Sequence, residues 1–265
     1  MYDFISGILK NEEGSIVLSP FNKWHLFYLL VIFGGILLTI YLVRGKEEKI
    51  KKRIINITIN SAFILYILDF FLMPFSYGYI DIDKLPFHIC TMMGVACFVA
   101  RHNKKMSKYL TQFTLLGLIG ALMYITYPSG VADGEVYPFS YRIIQTMLYH
   151  GLMVGHGIFS LAFSDIKLEW KKIYKELIVV SIVSFIAVVA NTLYSGGEIG
   201  DWNWFFVSSD PFGIFEENIA PYVMPFVMIV VIFIMNVLVY SIYFGFKKIY
   251  ENEYIKNNII KLRRS

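Results

Sequence analysis

Residues 24–76 read WHLFYLLVIFGGILLTIYLVRGKEEKIKKRIINITINSAFILYILDFFLMPFS, and their reading decides the fold. Two apolar runs, 24–44 and 54–76, are each long enough to cross about 30 Å of hydrocarbon as a helix. Between them lie Arg44, Lys46, Lys49, Lys51, Lys52 and Arg53. An apolar run, a basic turn and a second apolar run describe a helical hairpin through a bilayer with its turn on the cytoplasmic side. Working outward, apolar stretches at 86–101, 109–127, 139–163, 176–194 and 221–243 predict five more spans. The third is short, because Asp81, Asp83 and Lys84 crowd its front end, but dropping it would leave PFHICTMMGVACFVA in water. The expected fold class is all-α, a polytopic membrane bundle of seven transmembrane helices.

Composition agrees with this. Hydrophobic residues make up 57% of the 265 and charged ones 17%, with a mean hydropathy of +0.57. A water-soluble chain could not hide so much apolar surface in one core and would lack charge for its exterior.

The remaining loops set the expected orientation. Arg101, Lys104, Lys105 and Lys108 follow the third span; Lys167, Lys171, Lys172 and Lys175 follow the fifth; Lys247, Lys248, Lys256, Lys261, Arg263 and Arg264 follow the seventh. With the first loop these are twenty of the 24 basic residues, all on one side, leaving Lys10, Lys23, Lys84 and Arg142. The positive-inside rule puts that side in the cytoplasm and the N-terminus outside. Segment 1–23, without a basic leader, reads as an external tail, 24–246 as the transmembrane domain and 247–265 as a basic cytoplasmic tail. The net charge of +4 averages this basic face with an acidic outer loop holding Glu198, Asp201, Asp210, Glu216 and Glu217. The basic face suits the anionic headgroups of membrane lipids, not nucleic acid. Loop 195–220, rich in Trp and Phe, reads as folded back onto the bundle mouth.

In lipid the informative residues are the polar ones. Asp69 lies in span two, with Arg142 on span five as its expected partner. On span five, Arg142, Gln145 and His156 share a face at 100° per residue, while His150 points elsewhere. His150 and His156 therefore cannot chelate one ion together, and no metal or cofactor motif is present. Pro86 suits the first turn of span three, with His88 and Cys90 following. Cys90 and Cys97, seven apart, would stand about 10 Å from each other on one helix, too far for a disulfide. Asn191 on span six and Asn203 beyond it add amides to the same outer half. Asp69, His88, Cys90, Arg142, Gln145, His150 and Asn191 together imply a polar cavity there. Gly117, Gly120, Gly151 and Gly155 read as points of close helix approach.

Several of these residues fall in a recognisable order: SPFNKWHLF at span one, LPFHIC at span three, YPFSYRIIQTMLYHG at span five, and Asn191 followed by GGEIGDWNWFF. This order resembles the YwaF-like family of bacterial integral membrane proteins over residues 19–245. The resemblance implies that His25, Asp69, Cys90, Arg142, Gln145, His150, Gly151, Asn191 and Asn203 are the family's motif positions; His156 has no counterpart. The family is distantly similar to a mammalian transmembrane acyltransferase of phospholipid remodelling that is thought to use a Cys and a His.

Three functions fit these readings. In an intramembrane lipid acyltransferase or acyl hydrolase, Cys90 would be the nucleophile and His150 the base, in contact across spans three and five. Arg142 and Gln145 would hold a phosphate or carbonyl. In a carrier or sensor, a small polar solute would bind at His25, Asp69, His88, Arg142, Gln145, Asn191 and Asn203. A structural partner for another membrane complex would need no pocket. The depth of the spans opposes the first, since Cys90 lies about 6 Å and His150 about 16 Å from the expected outer ends. The lack of a duplicated pair of broken helices opposes the second.

Overall fold

The computed structural model describes residues 18–76, 84–128, 137–194, 203–208, 210 and 213–262. Residues 1–17 of the expected 1–23 tail and the loop acids Glu198 and Asp201 lie outside them. Among the described residues there is no strand and there are seven α-helices: α1 (Lys23–Val43), α2 (Glu48–Ser76), α3 (Ile89–His102), α4 (Leu110–Thr126), α5 (Tyr141–Ala162), α6 (Tyr174–Tyr194) and α7 (Ala220–Leu262). Short 3₁₀ turns at Ser107–Tyr109, Trp170–Lys172 and Trp204–Phe206 complete them.

Among the described residues five helical stretches are long and apolar enough to cross a membrane: Lys23–Val43, Glu48–Leu72, Ser107–Thr126, Trp170–Tyr194 and Ala220–Ile249. The other two helices depart from that pattern for reasons their positions explain. Helix α5 has 22 residues, but Arg142, Gln145, His150 and His156 lower its hydropathy. It can carry them because it is an interior helix, packed against α1, α2, α3 and α4. A helix that touches protein on most sides needs no apolar coat.

Helix α3 has 14 residues, about 21 Å of rise. It starts three residues later than expected, at Ile89, with Pro86 in the turn before it and not in its first turn. Its far end is fixed at the basic side, where Arg101 Nη2 pairs with Asp165 at 2.6 Å and donates to Ser160 Oγ at 3.2 Å. Its near end therefore opens inside the bundle. Close contact with α4 needs Gly120, where a Cβ would stand 2.7 Å from Ile89 Cγ2 and 3.2 Å from the Cys90 nitrogen.

The space beyond α3 is filled by residues 203–208. Trp204, Phe205 and Val207 are buried, and Phe87 packs on Trp204 with ring centroids 5.0 Å apart. Asn191 clamps the turn from both sides of one residue: Trp204 N–H donates to Asn191 Oδ1 at 2.9 Å, and Asn191 Nδ2 donates to the Trp204 carbonyl at 3.1 Å. Non-helical backbone at membrane depth is tolerated where protein surrounds it. Phe205 and Phe206 sit at φ 59° and 53°, a left-handed conformation that bulky residues adopt only when their surroundings hold them there.

Candidate functional site

Helix α3 opens beside the middle of α5, which brings Cys90 to His150. Cys90 Sγ lies 3.3 Å from His150 Nε2. The expected two-turn mismatch in depth disappears because the chain enters the bundle as a loop before α3 begins. His150 is the tenth residue of α5, about 14 Å along that helix. Cys90 is the second residue of α3, so both stand at one level.

The other ring nitrogen fixes which proton is where. His150 Nδ1 is 2.8 Å from the Thr146 carbonyl oxygen one turn back. A carbonyl only accepts, so Nδ1 carries the hydrogen and the neutral ring presents a lone pair at Nε2 to the thiol. Tyr124 of α4 stacks on the imidazole with centroids 3.9 Å apart and planes 5° apart, and Tyr149 meets it edge-on at 5.0 Å. Tyr149 also donates its hydroxyl to the Cys90 carbonyl at 3.2 Å, tying α5 to the first turn of α3. Both Cys90 and His150 are buried.

Asp69 is 2% exposed, and its partner is not Arg142. Lys84 Nζ lies 3.4 Å from Oδ2, and Tyr141 donates its hydroxyl to Oδ1 at 3.0 Å. Lys84 is held beside α2, where Tyr66 donates to the Lys84 carbonyl at 3.0 Å. Arg142 is half-buried at the start of α5. Gln145 is buried and accepts from Thr146 Oγ1 at 3.2 Å.

The remaining candidates hydrogen-bond to backbone groups of other residues. His25 Nε2 donates to the Ile125 carbonyl at 2.7 Å, and its Nδ1 accepts from Phe21 N–H at 2.9 Å. It thereby caps an orphan carbonyl at the end of α4, one residue from the Tyr124 that stacks on His150. His88 Nδ1 accepts from Phe205 N–H at 3.2 Å, and Asn203 Oδ1 accepts from Ser208 N–H at 3.0 Å. With Asn191, these two shape the turn over the mouth of α3. His156 faces away from His150, toward the Ile55 carbonyl at 3.4 Å and Thr114 Oγ1 at 3.5 Å. Thr114 in turn meets Cys97 Sγ at 3.8 Å.

Sequence reading missed Tyr66, Lys84, Tyr124, Tyr141, Thr146 and Tyr149. One of them carried a signal, since Lys84 is among the few basic residues away from the basic face. The tyrosines had none, because Tyr is at home anywhere along a membrane helix that offers its hydroxyl a partner.

The fold and the site together define an all-helical membrane protein with a buried thiol–imidazole pair between two interior helices. The model of the TMEM164 family matches residues 19–254, and the chain belongs to that family. Neither a curated protein nor a solved structure matches it.

Proposed function

We propose that this protein is an intramembrane lipid acyltransferase or acyl hydrolase of the cell membrane, with Cys90 as nucleophile and His150 as base. One observation carries the reading: the 3.3 Å contact between Cys90 Sγ and an imidazole nitrogen left as acceptor by the Thr146 carbonyl. An imidazole so placed takes the thiol proton as sulfur attacks an ester carbonyl. Collapse of the tetrahedral adduct expels the lysolipid oxygen, which receives that proton from His150, and leaves an acyl thioester on Cys90. An acceptor alcohol or water then takes the acyl group. The N-terminal end of α3, at whose second residue the sulfur sits, favours developing negative charge there. Arg142 and Gln145 are the groups assigned to a lipid phosphate or carbonyl.

The YwaF-like resemblance and its distant acyltransferase link support the same chemistry. The proposed setting is a seven-span bundle with the N-terminus outside, the basic face in the cytoplasm, and lipid as the partner. The alternative, a carrier or sensor binding at the polar cluster, has less support, because His25, Asp69 and Asn191 are engaged by the chain itself.

The test is reactivity. In membranes, a long-chain alkyl chloroacetamide should modify Cys90 in a Cys97→Ser background faster than Cys97 in a Cys90→Ser background. His150→Gln should abolish the difference. Equal rates for the two cysteines would refute an activated thiol. Lipid profiles of a deletion strain carrying the parent or Cys90→Ala would then name the class of lipid.

A further inference from the structure

A second buried polar cluster belongs to none of the chemistry above. It is built by the first turns of α4 and α6 and the middle of α7, three helices that pack on one another. Glu176, third residue of α6, is wholly buried, and Gln112, third residue of α4, and Asn236 of α7 are nearly so. Glu176 Oε1 accepts from Gln112 Nε2 at 3.2 Å and from the Tyr240 hydroxyl at 3.3 Å. Asn236 stands one turn before Tyr240 and donates Nδ2 to the Ile232 carbonyl at 3.0 Å. Four residues apart, Asn236 and Tyr240 lie on the same face of α7.

Three oxygens in this cluster are buried with no hydrogen-bond partner: Glu176 Oε2, Gln112 Oε1 and Asn236 Oδ1. Turning either amide over does not help. Gln112 would then aim oxygen at a carboxylate, and Asn236 would aim oxygen at a carbonyl. Among the described residues no basic side chain pairs with Glu176. Glu176 Oε2, Gln112 Oε1 and Asn236 Oδ1 thus each lack a donor, and the carboxylate is the one acidic group among them. Tyr240, which donates to Glu176, packs in turn on Trp170, whose ring lies 5.2 Å from it and 5.8 Å from Phe244.

We propose that Glu176, Gln112 and Asn236 bind a small, hard, monovalent cation, for which sodium is the test ion. Carboxylate and amide oxygens are the ligands such ions take, and one positive charge balances the single carboxylate. A divalent ion would leave a net charge in low dielectric. A proton on Glu176 would answer only one further oxygen, whereas a cation answers all three. Intramembrane carboxylates commonly mark ion sites. The proposal does not depend on the acyl-transfer reading.

The experiment uses the full chain in detergent with radiolabelled sodium, measured by scintillation proximity. The expected result is saturable binding, displaced by unlabelled sodium chloride and not by choline chloride, with affinity at least tenfold weaker in Asn236→Leu and Gln112→Leu. Sodium should also raise the melting temperature of the parent more than that of Glu176→Gln. Absence of saturable binding to the parent overturns the proposal even if every variant fails to fold. So does sodium binding that survives Glu176→Gln unchanged. A parent that melts higher as pH falls, with no response to sodium, overturns it in favour of a neutral carboxylic acid.

Discussion

Replacing Lys84 by Met should destabilise the protein more than replacing Asp69 by Asn, and combining the two should recover part of the loss. At 3.4 Å two unit charges attract by roughly 5 kcal/mol in an effective dielectric constant of about 20. The Lys84 side chain is 23% exposed and that of Asp69 only 3%, so desolvation and partial screening cut this to a coupling of about 1–3 kcal/mol. The asymmetry follows from the same burial. Lys84→Met strands a carboxylate that cannot reach water and keeps only the Tyr141 hydroxyl. Asp69→Asn leaves an ammonium on a flexible stem that can turn toward solvent. Reversible unfolding by sodium dodecyl sulfate in mixed micelles, run as a double-mutant cycle, measures the coupling. A parallel cycle with Arg142→Gln should give a smaller value. The reasoning is refuted if Asp69 couples to Arg142 as strongly as to Lys84, or if both single variants unfold like the parent.

Three further outcomes are expected. Gly120→Ala should cost about 1–3 kcal/mol by overpacking, because its Cβ meets Ile89 and the Cys90 nitrogen, and should slow alkylation of Cys90; Gly34→Ala, with open space around it, should do neither. Asn191→Leu removes both hydrogen bonds between this side chain and the Trp204 backbone, so about 2–4 kcal/mol should be lost and limited proteolysis should begin near residue 204. In a cysteine-free background, a single cysteine at Glu217 or Ser209 should label from outside intact cells and one at Ser107 only after permeabilisation; the reverse pattern refutes the proposed orientation.

The solvent of this protein was legible in its residues, because lipid imposes a coarse rule. Runs such as 24–44 and 221–243 must stay apolar over a whole membrane thickness, and the positions of Lys and Arg between them need no knowledge of packing. The polar residues on 141–162 were legible too, as exceptions that an apolar solvent does not forgive. Their partners were not. Hydropathy reports that a residue leaves water but says nothing of the relative height of two helices. Cys90 meets His150 because the chain enters the bundle before α3 begins, and that entry rests on Gly120 and on the buried turn at Trp204. Lys84 pairs with Asp69, where charge alone had suggested Arg142. Asn191 and His88 read as part of a polar cavity and His25 as a family motif position, but the backbone partners of all three were not legible. The tertiary structure turns them onto backbone groups, since a bundle with one short helix and one inserted loop has many N–H and carbonyl groups to satisfy away from water.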